Sequence, residues 1–277
     1  MNEFPAFIKL KHFLRRFGME VWSSVTSVKF YQEVIRRSLR EGLVYFSFLI
    51  LVVTLILTVR FSFDIAKGLA EFEMWSRENL PDIVIEKGEV FVDVPQPWQE
   101  EAGDFVVIID TTGEIEKIDD YYPHGLLLMK DRLLLKRGPY ETRRYDLSKV
   151  ESFRFDPETA RRWRQVGQWF LPPLLAFFLF FYFWVGKFVQ VFLFSLISLL
   201  ANWAMKKGLS YKTLFTIGLY AMTPPLLLLC GTVSFGLQIR FFDLIYLSIY
   251  AALLVTVILQ VQPKIEPEKK IPWISEP

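Results

Sequence analysis

The chain has 277 residues, of which 52% are hydrophobic and 17% aromatic, and phenylalanine alone accounts for 27 of them. This apolar content exceeds that of soluble domains and predicts an integral membrane protein. The formal net charge of +2 is too small to indicate nucleic-acid binding, and the single cysteine, Cys230, excludes an intrachain disulfide, a cysteine-based zinc cluster and a redox pair.

Residues 1–42 form a basic arm in which apolar residues alternate with charges in a helix-like pattern. The basic residues are Lys9, Lys11, Arg15, Arg16, Lys29, Arg36, Arg37 and Arg40, and the acidic residues are Glu3, Glu20, Glu33 and Glu41. A basic amphipathic segment beside a span is typical of a helix on the anionic inner leaflet, with lysine and arginine at the headgroups. The alternative is a docking helix for a cytosolic partner.

The first span is predicted at residues 43–59, which carry no charge. The 42-residue arm before it argues against a signal peptide, and Arg60-Phe61-Ser62-Phe63 after it offers no small-residue cleavage site. The positive-inside rule then places the N-terminus in the cytoplasm and residues 60–166 outside.

Residues 60–166 are predicted to form a small extracytoplasmic α+β domain. A helical period runs from Ser62 to about Asn79 and ends before Pro81. Residues 83–92 indicate a hairpin around Lys87-Gly88, residues 126–135 indicate a second hairpin, and residues 105–109 indicate a buried strand. These patterns predict antiparallel β-hairpins between two membrane-linked helices, the second capped by Asp156 with Pro157 as its first residue.

A long apolar stretch, residues 168–207, opens the predicted C-terminal membrane bundle of residues 167–261. Lys187 is the only charged residue between Trp169 and Met205. As one helix, that segment would measure roughly 55 Å, against about 30 Å of hydrocarbon. It is therefore either one long span that breaks and follows the inner surface, or two spans folded back at Gly186-Lys187.

The distribution of lysine favours four spans, because a single crossing by this stretch places six lysines inside. They are Lys206, Lys207, Lys212, Lys264, Lys269 and Lys270. The third span, residues 214–235, is interrupted at Pro224-Pro225, and the last covers residues 244–261. The predicted fold is a membrane α-helical protein with a long, broken second span and a mostly unstructured cytoplasmic tail, residues 262–277.

Asp110, followed by Thr111, Thr112 and Gly113, ends the predicted buried strand. This pattern resembles the nucleophile strand of phosphotransfer enzymes and the Asp-Thr-Gly turn of aspartic proteases. The first needs a second carboxylate where Thr112 stands, and the second needs glycine directly after Thr111 and a second copy of the turn. The sequence favours an Asx-type turn in which Asp110 accepts backbone amides. An external hydrolase that uses Asp110 is the alternative.

The loop Tyr121-Tyr122-Pro123-His124-Gly125 is suited either to stacking on a sugar ring or to covering a small core. The two histidines, His12 and His124, lie on opposite sides of the membrane in this topology, which argues against a histidine-based metal site. The acidic clusters at residues 100–104 and 114–120 lack calcium-loop spacing. We predict no catalytic residue, cofactor or metal. The candidate external surface for a ligand or partner consists of Asp110, Thr111, Thr112, Tyr121, Tyr122 and His124.

Four residues inside the membrane are candidates for a structural or functional role: Lys187, Tyr220, Pro224 and Pro225. A lysine at mid-depth would suit transport, but its stem can also carry the charge to the headgroups. The two prolines remove helix hydrogen bonds, so Thr223, Tyr220 or a neighbouring helix must satisfy the freed carbonyls.

Several segments resemble a bacterial family of multi-pass membrane proteins of unknown function, some of which are labelled maltodextrin utilisation protein. They begin with Asn79-Leu80-Pro81, residues 85–89 and residues 109–114, and continue with Gly186-Lys187-Phe188, residues 209–212, residues 218–221 and Pro224. The later segments are also distantly similar to the Yip-type membrane fold. The resemblance implies a plasma-membrane protein accessory to carbohydrate uptake, and it carries over no catalytic residue.

The functional hypothesis is a non-enzymatic accessory or sensory membrane protein with an external binding domain. A small transporter or transporter subunit is the alternative, based on Lys187 and the proline pair. The expected partners are the lipid bilayer and either another membrane protein or a second copy of the chain.

Overall fold

The computed structural model describes residues 5–260, so the predicted tail, residues 262–277, lies outside the described residues. The described chain divides into two compact units. We call Ser62–Pro172 the sheet unit, and we call the residues up to Phe61 together with those from Pro173 onward the helical unit. The helices are α1 Pro5–Thr26, α2 Phe30–Val34, α3 Leu39–Asn79, α4 Pro157–Ala204, α5 Tyr211–Ala221, α6 Thr223–Ser234 and α7 Phe242–Gln260.

The sheet unit contains a three-stranded sheet of order β2-β1-β8 and a five-stranded sheet of order β3-β4-β5-β6-β7. The strands are β1 Ile83–Glu86, β2 Glu89–Val92, β3 Trp98–Ala102, β4 Phe105–Asp110, β5 His124–Met129, β6 Arg132–Arg137, β7 Thr142–Asp146 and β8 Ser152–Phe155. Strand β4 is buried on both faces, because Val106 and Ile108 belong to one apolar cluster and Ile109 to another.

Both predicted hairpins are present, as β1-β2 and β5-β6. The first turns at Lys87 and Gly88, whose φ angles are 50° and 84°, as a two-residue hairpin turn requires. A Cβ atom on Gly88 would lie 2.7 Å from the Cα atom of Ser148, so this position has no room for a side chain.

The expectation of purely antiparallel hairpins was wrong for one strand pair. Strands β4 and β5 are parallel, with Phe105 opposite His124 and Asp110 opposite Met129. A parallel pair needs a crossover of about a dozen residues, and residues 111–123 provide it. The turn residues and the aromatic run in this segment indicate a loop, and they carry no signal for a crossover between parallel strands.

Within residues 5–260, four helices are long and apolar enough to span a membrane, which agrees with the predicted number of spans: Leu39–Asn79, Pro157–Ala204, Tyr211–Ser234 and Phe242–Gln260. The third of these combines α5 and α6. In the most apolar 18-residue segment of this third helix, 72% of the residues are buried inside the protein, against 17% in the corresponding segment of α4. The α5–α6 pair is therefore central, while α4 presents most of its apolar surface outward.

The predicted break or fold-back at Gly186-Lys187 was wrong, because α4 is continuous from Pro157 to Ala204. A glycine inside a helix costs only about 1 kcal/mol and does not end it. The Lys187 ammonium lies 4.2 Å from the centre of the Tyr246 ring, and its Nζ donates to Gln190 Oε1 at 3.3 Å. These contacts hold the charge without a change in helix direction.

The third apolar helix does break at the proline pair, as α5 ends at Ala221 and α6 begins at Thr223. Pro224 has no N–H for the Tyr220 carbonyl, and the Thr223 hydroxyl donates to that carbonyl at 2.8 Å instead. Nearby, Gly218 permits close packing, because a Cβ there would lie 3.0 Å from Val191 Cγ1 and 3.1 Å from the Tyr250 hydroxyl.

The basic arm packs against the helical unit of its own chain. Phe30, Tyr31 and Val34 of α2 belong to the buried core, together with residues of α3, α5, α6 and α7. In α1, Glu20 and Ser24 are buried. The arm is therefore part of the folded bundle rather than an independent segment.

Candidate functional site

A buried charged cluster joins the arm to the helical core. Arg37, in the connection between α2 and α3, donates from Nη1 to Glu20 Oε1 at 2.7 Å and to the Tyr220 hydroxyl at 2.8 Å. Arg16 donates from Nε to the same Glu20 oxygen at 2.8 Å. We call Arg16, Glu20, Arg37 and Tyr220 the arm cluster.

Aromatic rings enclose the Arg37 guanidinium, which lies 5.1 Å from the ring centres of both Phe30 and Tyr220. Tyr45 of α3 stacks on Tyr220 at a centroid distance of 4.2 Å, and its hydroxyl is 2.7 Å from the Thr223 hydroxyl. Direct contacts therefore connect the arm, through the arm cluster, to α3 and to the break between α5 and α6.

Two of the three charged side chains of the arm cluster are largely removed from water, since Arg37 and Glu20 are 17% and 10% exposed, whereas Arg16 is 58% exposed. Burial alone would lower the pKa of Arg37, but its hydrogen bond to Tyr220 and the Glu20 carboxylate outweigh that effect and raise the pKa. Arg37 thus stays charged. Loss of either partner would leave a poorly solvated charge, so the pair is well suited to hold the arm in one position.

The amphipathic pattern of the arm predicts that Arg37 lies at the lipid headgroups with the other basic residues, and in the structure Arg37 bonds Glu20 and Tyr220 instead. The spacing of Arg16 and Glu20 on one helix face indicates that pair. No comparable signal indicates the bond from Arg37 to Tyr220, because 183 residues separate them.

Asp110 forms the turn that the sequence favoured. Its Oδ1 accepts the backbone N–H of Thr112 at 2.9 Å and of Gly113 at 3.2 Å, and its Oδ2 accepts the N–H of Ile115 at 2.5 Å. The Thr112 hydroxyl adds a bond at 2.5 Å. Asp110 is fully buried, so these bonds occupy its carboxylate in fixing the start of the crossover.

The remaining candidates of the sheet unit fall into two groups. Thr111 donates from its backbone N–H and its hydroxyl to Gln96 Oε1, at 2.6 and 2.8 Å, beside the Asp110 turn. His124 lies at the other end of the strands, since it pairs with Phe105 while Asp110 pairs with Met129. Five residues along β4 correspond to about 16 Å. The six predicted residues therefore do not form one site.

The second group forms an exposed surface that we call the tyrosine loop, made of Tyr121, Tyr122 and His124. Tyr121 is 82% exposed, and its ring meets Tyr122 edge-on at 5.1 Å. The Tyr122 hydroxyl donates to the Glu101 carboxylate, and this bond raises the pKa of Tyr122. Gln99 also donates to that hydroxyl at 3.1 Å. Tyr122 is anchored to β3, and Tyr121 stays accessible to a ligand.

The four membrane candidates are also separated. Tyr220 belongs to the arm cluster, Pro224 and Pro225 begin α6, and Lys187 contacts Tyr246 of α7. Among residues 5–260, no group of three or more His, Cys, Asp or Glu side chains is arranged to hold a metal ion.

Comparison with known proteins gives one match. A protein-family profile described as "Protein of unknown function (DUF1189)" matches residues 19–259. No curated protein and no solved structure matches the chain. Since the profile covers well over half of the sequence, from the middle of α1 almost to the end of α7, the chain belongs to this family of proteins of unknown function, DUF1189.

Proposed function

We propose that this protein is a non-enzymatic sensory or accessory protein of the bacterial plasma membrane. In this proposal the sheet unit lies outside and binds a ligand or partner, while both termini are cytoplasmic. The observation that carries the proposal is the continuity of α3 and α4, which span 41 and 48 residues and each contribute residues to both units. Unbroken helices are able to convey a displacement along their length.

The tyrosine loop supports a binding role for the sheet unit. It offers two aromatic rings, one of them held by Gln99 and Glu101, beside the exposed His124. Aromatic side chains with polar tips are frequent in binding surfaces because they contribute area at little entropic cost. At the other end of β4, the Asp110 carboxylate already accepts bonds from Thr112 and Ile115. This favours a binding role for the sheet unit over hydrolysis by Asp110.

The arm cluster supports a signal output from the N-terminal end of α3, in which binding to the sheet unit would change the position of the arm. Tyr45 of α3 stacks on Tyr220, which accepts a hydrogen bond from Arg37 of the arm. A shift of α3 would therefore act on a buried ion pair, and such pairs favour discrete arrangements over gradual ones.

A photo-crosslinking residue tests the binding role. We would place it at Tyr121 and, as a matched control, at Tyr140, which is 99% exposed and lies between β6 and β7. In native membranes the proposal predicts one dominant adduct at position 121 and none at position 140. Equal or absent adducts at both positions would contradict it.

Replacement of residues 82–155 by a short Gly-Ser linker tests the link between binding and output. Both long helices remain, so the variant should insert normally and still fail to restore the phenotype of a strain lacking the protein. Full restoration by the variant would exclude a role for the sheets. Growth on maltodextrin is the phenotype we would measure first, because some proteins that the sequence resembles are labelled maltodextrin utilisation protein.

A small transporter remains the second candidate function, favoured by one observation. Lys187 is half-buried against Tyr246 and Gln190 within an apolar helix, and charged groups at such positions often serve transport. This candidate predicts that Lys187→Ala abolishes uptake of the substrate at normal protein abundance. Normal uptake by that variant would remove its main support.

A further inference from the structure

An amphipathic groove runs between the arm and α3 in the helical unit. One cavity of about 330 Å³ is lined by Arg16, Arg40 and Val44, among others. A second cavity, of about 430 Å³, is lined by Phe48, Leu51 and Phe180 and shares Phe13, Arg40 and Val44 with the first. The shared residues make the two cavities adjoining parts of one groove.

The polar end of the groove presents arginine without a matching free carboxylate. The Arg40 guanidinium forms no ion pair or hydrogen bond with any residue in the described part of the chain. The two carboxylates that line the same cavity are paired with other arginines, because Glu20 accepts from Arg16 and Arg37, and Glu41 lies 3.6 Å from Arg16 and also accepts from Ser38. This end therefore suits an anion.

The other end of the groove is apolar and follows one face of α3. Arg40, Val44, Phe48 and Leu51 are spaced by three or four residues, so they line the same side of the helix. From Arg40 to Leu51 the helix rises about 16 Å, which is half of a hydrocarbon core of about 30 Å. Phe13 packs edge-on against Phe48 at 5.0 Å and closes one wall.

From this arrangement we propose that the groove binds one molecule of an anionic phospholipid. Its phosphate lies at Arg40, and one acyl chain extends past Val44 and Phe48 toward Leu51. A groove as deep as one leaflet, with its charge at the start of the apolar segment, matches both parts of such a lipid. The proposal concerns the helical unit and does not depend on what the sheet unit binds.

Native mass spectrometry of the purified full-length protein tests the lipid site. We would titrate phosphatidylglycerol, or phosphatidylcholine with the same acyl chains, and compare Arg40→Gln with Arg36→Gln. Arg36 is exposed, lines neither cavity and carries the same charge. We expect wild type to retain one phosphatidylglycerol in preference to phosphatidylcholine. Arg40→Gln should weaken this binding by about fivefold, and Arg36→Gln should leave it unchanged.

A tryptophan that fills the apolar end gives an independent readout. Val44→Trp should abolish retention, whereas Leu55→Trp, at an equally exposed position of α3 outside the groove, should not. Equal lipid retention by the Arg40 and Arg36 variants would overturn the proposal. Displacement of the lipid by millimolar glycerol phosphate would also overturn it, because the site would then bind a free phosphate group alone.

Discussion

Arg37 connects the arm to two aromatic residues of the core, Phe30 and Tyr220, as well as to Glu20. Replacement of Arg37 by glutamine removes the charge and leaves Glu20 with the more exposed Arg16 alone. We expect the free energy of unfolding to fall by about 2 kcal/mol. This is less than the 3–5 kcal/mol typical of fully buried pairs, because both side chains keep some contact with water. This loss corresponds to a decrease in Tm of about 5 °C for the protein in detergent.

Arg36→Gln is the control, since the Arg36 side chain is exposed and its replacement should change Tm by about 1 °C or less. The double variant Glu20→Gln/Arg37→Gln should be more stable than the sum of the two single changes predicts, because no uncompensated charge remains. If the two changes prove additive, the ion pair does not hold the arm.

Asp110→Asn tests the turn at the end of β4. In asparagine an amide nitrogen replaces the carboxylate oxygen Oδ2 and cannot accept the N–H of Ile115, so we expect the free energy of unfolding to fall by about 1–3 kcal/mol at neutral pH. Burial alone would raise the pKa of Asp110. Its hydrogen bonds from the Thr112 hydroxyl and the amides of Ile115, Thr112 and Gly113 reverse this effect and lower the pKa. A lowered folded pKa gives stability that is fully present above the unfolded pKa of about 3.9 and is lost as pH falls through the folded pKa.

The difference in Tm between wild type and Asp110→Asn should therefore be largest near pH 7 and shrink as pH falls below about 4. Asp104→Asn, at an exposed position between β3 and β4, should follow wild type at every pH. A difference that stays constant down to pH 3 would mean that the charge of Asp110 does not stabilise the turn.

At the residue scale, the sequence predicts the Asp110 turn but not the arm cluster. The Asp110 turn follows from local chemistry, because an aspartate two residues before a threonine and three before a glycine is typical of an Asx turn. The arm cluster does not follow, because its specificity comes from tertiary packing between residues far apart in sequence.

Among the elements, the break between α5 and α6 depends on Thr223. Its hydroxyl bonds both to the Tyr220 carbonyl and to the Tyr45 hydroxyl, and all three residues are buried. Thr223→Val keeps the shape but removes these bonds, so we expect a loss of about 1–3 kcal/mol, measured as a decrease in Tm.

Thr256→Val provides the comparison, because the Thr256 hydroxyl bonds only within α7, to the Ala252 carbonyl, and its loss should cost little. Addition of Tyr45→Phe to Thr223→Val should cost less than Tyr45→Phe does in wild type, since the tyrosine hydroxyl has already lost its partner. Equal Tm values for Thr223→Val and Thr256→Val would indicate that another group satisfies the break.

Element prediction from the sequence succeeded where local signals are strong. The turn at Lys87-Gly88, the Asp156 cap and the proline pair each fix a boundary through backbone chemistry. It failed for the β4–β5 pairing and for the supposed break at Gly186. The first depends on a crossover whose path is decided by packing, and the second on a helix propensity that one glycine does not override.

At the scale of the whole molecule, the proposed function depends on the membrane topology. The positive-inside rule predicts that Tyr121 lies outside and Lys212 inside, because the basic arm and the loop at residues 206–212 both favour the cytoplasm. One continuous apolar helix, α4, lies between these two positions in the chain, and a single crossing by that helix would place them on opposite sides of a membrane.

Single cysteines at Tyr121 and Lys212, in a Cys230→Ser background, test this arrangement with a membrane-impermeant maleimide on intact cells. Both side chains are exposed, so the maleimide can reach each cysteine without local unfolding of the protein. We expect labelling of Tyr121→Cys at once and of Lys212→Cys only after permeabilisation. The unmodified protein is the control, since buried Cys230 should react only after denaturation. The reverse pattern would place the sheet unit in the cytoplasm, where an external ligand does not reach the tyrosine loop. Labelling of both sites from one side would exclude a single crossing by α4.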